Sequence, residues 1–393
     1  MRQNTQVALA GEIMLAFAER TGLTGSGAAP KRYLWTDAFA VCNFLELGRR
    51  TGDPRWEDLA RRLVDQVHHV LGQHRGDDGR HGWLSGLGDK EGEAHPTGGG
   101  LRIGKPLPER RPDEPFDEQL EWDRDGQYYH YLTKWMLALN RLARRTGDNR
   151  FHRWSLELAR AAHTGFTYPH PSAGRPLLHW KMRIDLSEPL VPGMGHHDPL
   201  DGLLTLHEVQ AEAAADGGQE AEPLAPEIRD LARMCAGRDW RTDDPLGLGG
   251  LLSDALRAAR LLSSNPDLPL GGLLADMLAA GAEGLPLSAA RSSLGQPAAC
   301  RLAFRELGLA IGLHAAERLE ELVRSTPWLF APQDNCAPCL RDILGHSPLG
   351  RQIEEFWRNP ANQRGASWTG HQDINEVMLA TSLVPDGYFG TAA

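Results

Sequence analysis

The sequence predicts an all-α protein, a six-hairpin α/α toroid, on three observations. Strand signals are scarce, and most apolar runs follow the helical period. A turn motif recurs, LELGRRTGDPRW at residues 45–56 and NRLARRTGDNRF at residues 140–151. Helix patterns that are apolar on several faces alternate with amphipathic ones along the chain. In both copies of the turn, Gly52 and Gly147 suit the left-handed position after a helix end, and Asp53 and Asp148 suit the cap of the next helix. Each copy is an antiparallel helix hairpin, and their offset of about 95 residues excludes a short-period solenoid.

Downstream, DPLDGLLTL at residues 198–206 and DPLGLGGLL at residues 244–252 repeat an Asp-Pro start, where Asp caps and Pro fits the first turn. Inner helices are expected to start near residues 34, 124, 198, 245, 298 and 370. Their amphipathic partners fall at 54–72, 149–164, 225–236, 270–280, 315–325 and 348–358, with an N-terminal helix at about 6–21 closing the set. The expected organisation is therefore a single toroid domain over residues 1–393. Two long segments, 72–121 and 165–197, break the pattern, and long connections in a compact domain are commonly functional. Placed over one rim they would wall a cleft, with Leu177–Leu186 as a short strand and room for a β-hairpin.

The chain has 393 residues and a formal net charge of −10, which leaves no basic surplus for a nucleic-acid partner. Only five of its 42 basic residues are lysine; the arginine excess fits a codon bias as well as carboxylate or phosphate ligands. Five cysteines without a regular framework point to a reducing compartment. The N-terminal apolar stretch is interrupted by Glu12 and reads as an amphipathic helix, not a leader. No window is long and apolar enough for a membrane span, so the expectation is a cytoplasmic protein.

Aromatic and acidic residues concentrate at the inner-helix starts, where unpaired N–H groups carry partial positive charge. The first opens with Trp35, Thr36 and Asp37; the second with the run from Trp122 to Tyr131, which holds Asp123, Asp125, Gln127 and Tyr128. His196, His197 and Asp198 precede the third, and the last opens with Trp368, His371, Asp373 and Glu376. Sugar rings pack apolar C–H faces on aromatic rings and offer hydroxyls to acids, amides and histidines. Glycosidic hydrolysis needs an acid and a second carboxylate, ~6.5–9.5 Å apart when a water fits between them and ~5–5.5 Å apart for direct attack. Asp37 and Asp125 are the expected catalytic pair, with Asp373 and Glu376 in reserve. Trp35, Trp122, Asp123, Gln127, Tyr128, Arg102, His196, His197, Asp198, Trp368 and His371 are the expected substrate-binding residues.

Simpler roles stand beside these. Asp123, Asp125, Asp198 and Asp244 also suit helix caps, and Asp37 suits the helix dipole. Tyr128, Tyr129 and Tyr131 cannot all face one pocket at helical spacing. Adjacent His196 and His197 lack a metal-ligand spacing, so neither metal nor cofactor is expected. Cys336 and Cys339 form a C-x-x-C without a βαβ context or two clear further zinc ligands, and read as two loop thiols. The glycine run at Gly98 lacks P-loop spacing, although Arg102 and Lys105 within it could meet an anionic substrate.

The R-R-T-G-D turns and the tryptophan-carboxylate helix starts resemble the six-hairpin glycosidase superfamily, whose members have an (α/α)6 barrel with acids at inner-helix ends. Tyr33–Ala60, with Asp37 on its helix, is similar in layout to unsaturated glucuronyl and rhamnogalacturonyl hydrolases. The resemblance implies a hydrolase acting on a small intracellular saccharide, with Asp37 and Asp125 in catalytic roles. N-acylglucosamine 2-epimerase-like isomerases share the fold and use histidines for proton transfer, for which His196, His197 and His371 qualify. A non-catalytic toroid that binds a glycan or protein is the third class.

Overall fold

The computed structural model describes residues 2–25, 29–170, 174–215, 224–291, 295–330 and 335–390. It is built from helices, with strands of two or three residues. The described residues fall into two compact units, which are taken separately below. One comprises residues 18–48 and 53–236, and the other residues 1–17, 49–52 and 237–393.

The first unit holds the expected early hairpins, apart from residues 49–52 of the first turn. α2 (Leu34–Thr51) and α3 (Arg55–Leu71) are joined through Gly52, whose φ of +71° is the left-handed turn the motif requires. α6 (Tyr129–Thr146) and α7 (Asn149–Phe166) repeat it, with Gly147 at φ +66° and Asp148 accepting from the Arg150 amide. α8 (Asp198–Ala215) packs on α9 (Ala225–Cys235). The inner helices α6 and α8 lie side by side and run parallel, as charged pairs ascending both chains record. His130 meets Asp198 (3.8 Å), Lys134 meets Asp201 (2.8 Å), Arg141 meets Glu208 (3.6 Å) and Arg144 meets Glu212 (2.9 Å). Parallel neighbours, each followed by its own returning helix, are the repeat of an α/α barrel.

The long connections of this unit carry two short helices, α4 (Asp89–Ala94) and α5 (Glu118–Glu121), and five strands. β1 (Gln127–Tyr128), β4 (Lys181–Met182) and β5 (Pro189–Val191) form an antiparallel sheet, with Tyr128 opposite Lys181. β2 (Thr167–Pro169) and β3 (Pro176–Leu178) form a hairpin. The strand expected over Leu177–Leu186 is thus two strands in two sheets. The second inner helix starts at Tyr129, not near 124, because the residues before it are spent on pairing with β4.

In the second unit, α10 (Pro245–Ser264) starts where Asp244 accepts from the Gly247 amide, and it is followed by α11 (Gly271–Arg291). α12 (Ala303–Ser325) runs unbroken for 23 residues. The expected division into an inner helix near 298 and a partner at 315–325 is therefore incorrect; nothing in RLAFRELGLAIGLHAAERLEEL breaks the helix before Pro327. Gly308 and Gly312 inside it serve close packing. A Cβ on Gly249 of α10 would lie 2.0 Å from the Gly308 carbonyl oxygen, and one on Gly312 would lie 2.5 Å from the Gly249 Cα. The returning partner of α12 is α14 (Ser347–Arg358), reached through α13 (Cys336–Leu344). Cys336 and Cys339 lie on α13, not in a loop. α15 (Ala366–Thr369), the last inner helix α16 (Gln372–Leu383) and α17 (Asp386–Phe389) complete the unit. Among the described residues, no helix is long and apolar enough to cross a membrane.

Candidate active site

The starts of α2, α6 and α8, together with the 101–107 loop and β1, build one cleft in the first unit. Its framework is Asp125, which is fully buried. Its Oδ2 accepts from Arg102 Nη1 (2.5 Å) and Arg75 Nη1 (3.3 Å). Its Oδ1 accepts from the backbone amides of Gly104 (3.0 Å) and Lys105 (3.3 Å). Both oxygens are spent on fixing the loop. Arg102 is equally engaged, donating to the Gln73 and Val70 carbonyls as well. Gln127 completes the lattice by accepting from the Leu101 amide and donating to the Gly99 and Ile184 carbonyls. Asp37 is buried at the start of α2, accepting from the Tyr33 amide (2.9 Å) and lying 3.4 Å from Arg32 Nη1. These four residues position the backbone around the cleft.

Beside these residues lies a cluster of aromatic side chains. Trp122 is 54% exposed and lies against Trp180 (5.3 Å between centroids), which packs on Tyr128 (5.0 Å). Tyr128 meets Tyr131 edge-on (5.0 Å), and Tyr131 meets Tyr33 (5.6 Å) and Trp35 (6.5 Å). The rings form a continuous aromatic cluster in which Trp122 is exposed and Tyr33, Tyr131 and Trp180 are half-buried, with apolar faces suited to C–H groups. Tyr129 is the tyrosine that turns into the core, packed on Phe166. The Tyr33 and Tyr131 hydroxyls share a hydrogen bond of 2.6 Å, and burial pushes the Tyr33 phenol up to about 12. Tyr128 is only 2% exposed, and its hydroxyl has no hydrogen-bond partner among the described residues. Leaving such a group unpaired costs about 1–3 kcal/mol.

Two side chains bring proton chemistry to this wall. His130, in the first turn of α6, stacks on Tyr128 (5.8 Å) and stands edge-on to Tyr131 (4.6 Å). Its side chain is 35% exposed, yet the enclosing protein mass desolvates it and Lys134 adds repulsion, lowering its pKa to about 4 despite Asp201. It is a neutral imidazole at neutral pH, with Nδ1 3.8 Å from Asp198. Lys105, its backbone clamped by Asp125, places Nζ 5.4 Å over the Tyr33 ring. Burial lowers its pKa against the pull of Asp123 and Asp125. Asp123 and His196 are exposed, and His197 is half-buried beside the His196 ring (4.5 Å). Sequence reasoning did not single out His130, Trp180 or Tyr33. His130 lies within the aromatic helix start, where its spacing from Tyr128 and Tyr131 was the available signal.

The remaining expected site residues lie in the second unit. Trp368 is 2% exposed and stacks on Trp357 (5.6 Å), while its carbonyl accepts from Asn375 Nδ2 (3.0 Å), so it packs the core. His371 is exposed with its ring against Phe304 (5.8 Å). Asp373 and Glu376 are half-buried on the first turns of α16, and Glu376 accepts from Gln372 Nε2 (2.8 Å).

No family model and no curated protein matches the chain. Solved structures do match over nearly its whole length. A GH76 alpha-mannanase of Bacteroides thetaiotaomicron aligns with a TM-score of 0.51 at 8% identity, covering 98% of this chain and 97% of its own. A sugar epimerase from a ruminal bacterium aligns with a TM-score of 0.51 at 10% identity, over 97% and 98%. A D-mannose isomerase aligns with a TM-score of 0.51 at 11% identity, over 98% and 97%. The chain has the all-α, (α/α)-barrel fold of these structures.

Proposed function

We propose that the protein is a saccharide-processing enzyme whose reaction is proton transfer beside the carbonyl of an open-chain sugar, with His130 as the base. The observation that carries this is the neutral, accessible imidazole in an aromatic-walled cleft where Asp37 and Asp125 are fully engaged in holding backbone. A glycosidase acid must hold a proton at the substrate, and Asp125 has no oxygen left for one. The sugar epimerase and D-mannose isomerase among the structures of this fold support the same reaction class.

In this mechanism the sugar's C–H faces lie on Trp122 and Trp180. His130 Nε2 removes the proton on the carbon next to the carbonyl, and the electron pair of that C–H bond forms an enediolate. The Lys105 ammonium and the Tyr33 hydroxyl stabilise the oxygen that gains charge. A proton passes between the two oxygens, and His130 returns its own proton to the neighbouring carbon, turning aldose into ketose.

Incubation with free aldoses in deuterated water tests this. The expected result is product with deuterium on carbon, with the rate falling toward acid near pH 4 as His130 is protonated. His130→Gln lowers the rate by about 10²–10⁴-fold at an unchanged melting temperature. Release of a reducing sugar from a disaccharide, with no deuterium on carbon, establishes hydrolysis instead.

A further inference from the structure

The two long connections also enclose a recess of about 300 Å³ that the mechanism does not use. That volume is at the lower end of small-ligand sites, about 300–1,000 Å³, and leaves room for one sugar-sized molecule. Its walls are cross-linked before any ligand arrives. Glu109 is buried and accepts from the Ile184 amide through Oε2 (2.8 Å), tying residues 108–112 to residues 183–184. Arg80 reaches Asp78 (2.8 Å), Glu109 (2.7 Å) and Asp185 (2.7 Å), and so joins three segments.

The charges inside do not cancel. Each lining carboxylate already has a guanidinium: Asp77 has Arg75 (2.7 Å), Asp78 has Arg80, and Glu109 has Arg80 and also Arg183 (3.4 Å). Arg111 is the surplus cation. Its backbone amide donates to Glu114 Oε2 (3.0 Å), and Glu114 is itself paired with Arg124 (2.8 Å). The Arg111 guanidinium makes no hydrogen bond or ion pair among the described residues, and it is exposed at the recess.

We infer that this recess binds an anionic sugar unit, carboxylated or phosphorylated, whose charged group is taken by Arg111 while its hydroxyls meet the arginine and carboxylate walls. A planar guanidinium at a preformed wall suits either oxyanion, and the binding is charge-assisted.

Isothermal titration of the full chain tests the inference, with glucose 6-phosphate and glucuronate as probes and glucose and inorganic phosphate as controls. At least one anionic sugar binds saturably and more weakly as salt rises, glucose does not bind, and phosphate binds at least tenfold more weakly than the sugar phosphate. Arg111→Glu lowers affinity at least tenfold while the melting temperature and the cleft reaction stay unchanged. Absence of binding by both anionic sugars, equal affinity in Arg111→Glu, or phosphate binding as tightly as the sugar phosphate overturns it. The inference does not depend on His130: loss of deuterium incorporation with sugar-anion binding intact removes only the proposed reaction.

Discussion

The two units use the same helix repeat for opposite ends. In the unit of residues 1–17, 49–52 and 237–393, two polar clusters on α12 are closed by neighbouring side chains. Glu306 takes Arg301 (2.6 Å) and Trp357 Nε1 (2.7 Å), and His314 stands between Glu317 (3.1 Å) and Glu354 (2.7 Å). Glycines let α10 and α12 touch backbone to backbone. In the unit of residues 18–48 and 53–236, the 101–107 loop is bound to the start of α2 and to the residues before α6, the Tyr128 hydroxyl lacks a partner among the described residues, and the His130 imidazole and Lys105 are half-buried. Satisfied networks rigidify a core, while groups short of a partner mark the place for a ligand.

Substitutions can sharpen this contrast. The largest stability effect is expected from Gly249→Ala. A methyl 2.0 Å from the Gly308 carbonyl oxygen must drive α10 and α12 apart. Overpacking of this kind costs about 1–3 kcal/mol or more, so the melting temperature should fall by roughly 2–4 °C per kcal/mol. An unchanged melt would show that the glycine contact is dispensable.

A smaller effect is expected from pH at His314. Burial opposes its charge, but the hydrogen bonds its ring donates to Glu317 and Glu354 prevail and raise its pKa to about 9. A raised folded-state pKa stabilises fully below the unfolded value of about 6.5, and that stability is lost as pH rises through 9. Melting temperature should therefore decline between about pH 6.5 and 9, and His314→Gln should flatten the decline. A wild-type decline that persists in the variant would place its origin elsewhere.

Local signals carried much of the fold. Asp-Pro and R-T-G-D steps marked the starts of α8 and α10 and both early hairpin turns, because caps and left-handed glycines act within a few residues. The fifth hairpin was misplaced: the helix runs on through Gly308 and Gly312, whose packing role is set by Gly249 some sixty residues away. The site was legible as a concentration of aromatic and acidic residues at helix starts, but not in its division of labour. Asp125 is consumed by Arg75, Arg102 and two loop amides, all 20 or more residues distant in sequence, and Trp368 by a stack on Trp357. No periodicity encodes such contacts.

The most direct measurement is a crystal structure with an aldose bound. The account predicts the sugar against Trp122 and Trp180, its first two carbons about 3–3.5 Å from His130 Nε2 and its carbonyl oxygen facing Lys105. A sugar held instead between Asp373 and Glu376, with the His130 cleft empty, would contradict it.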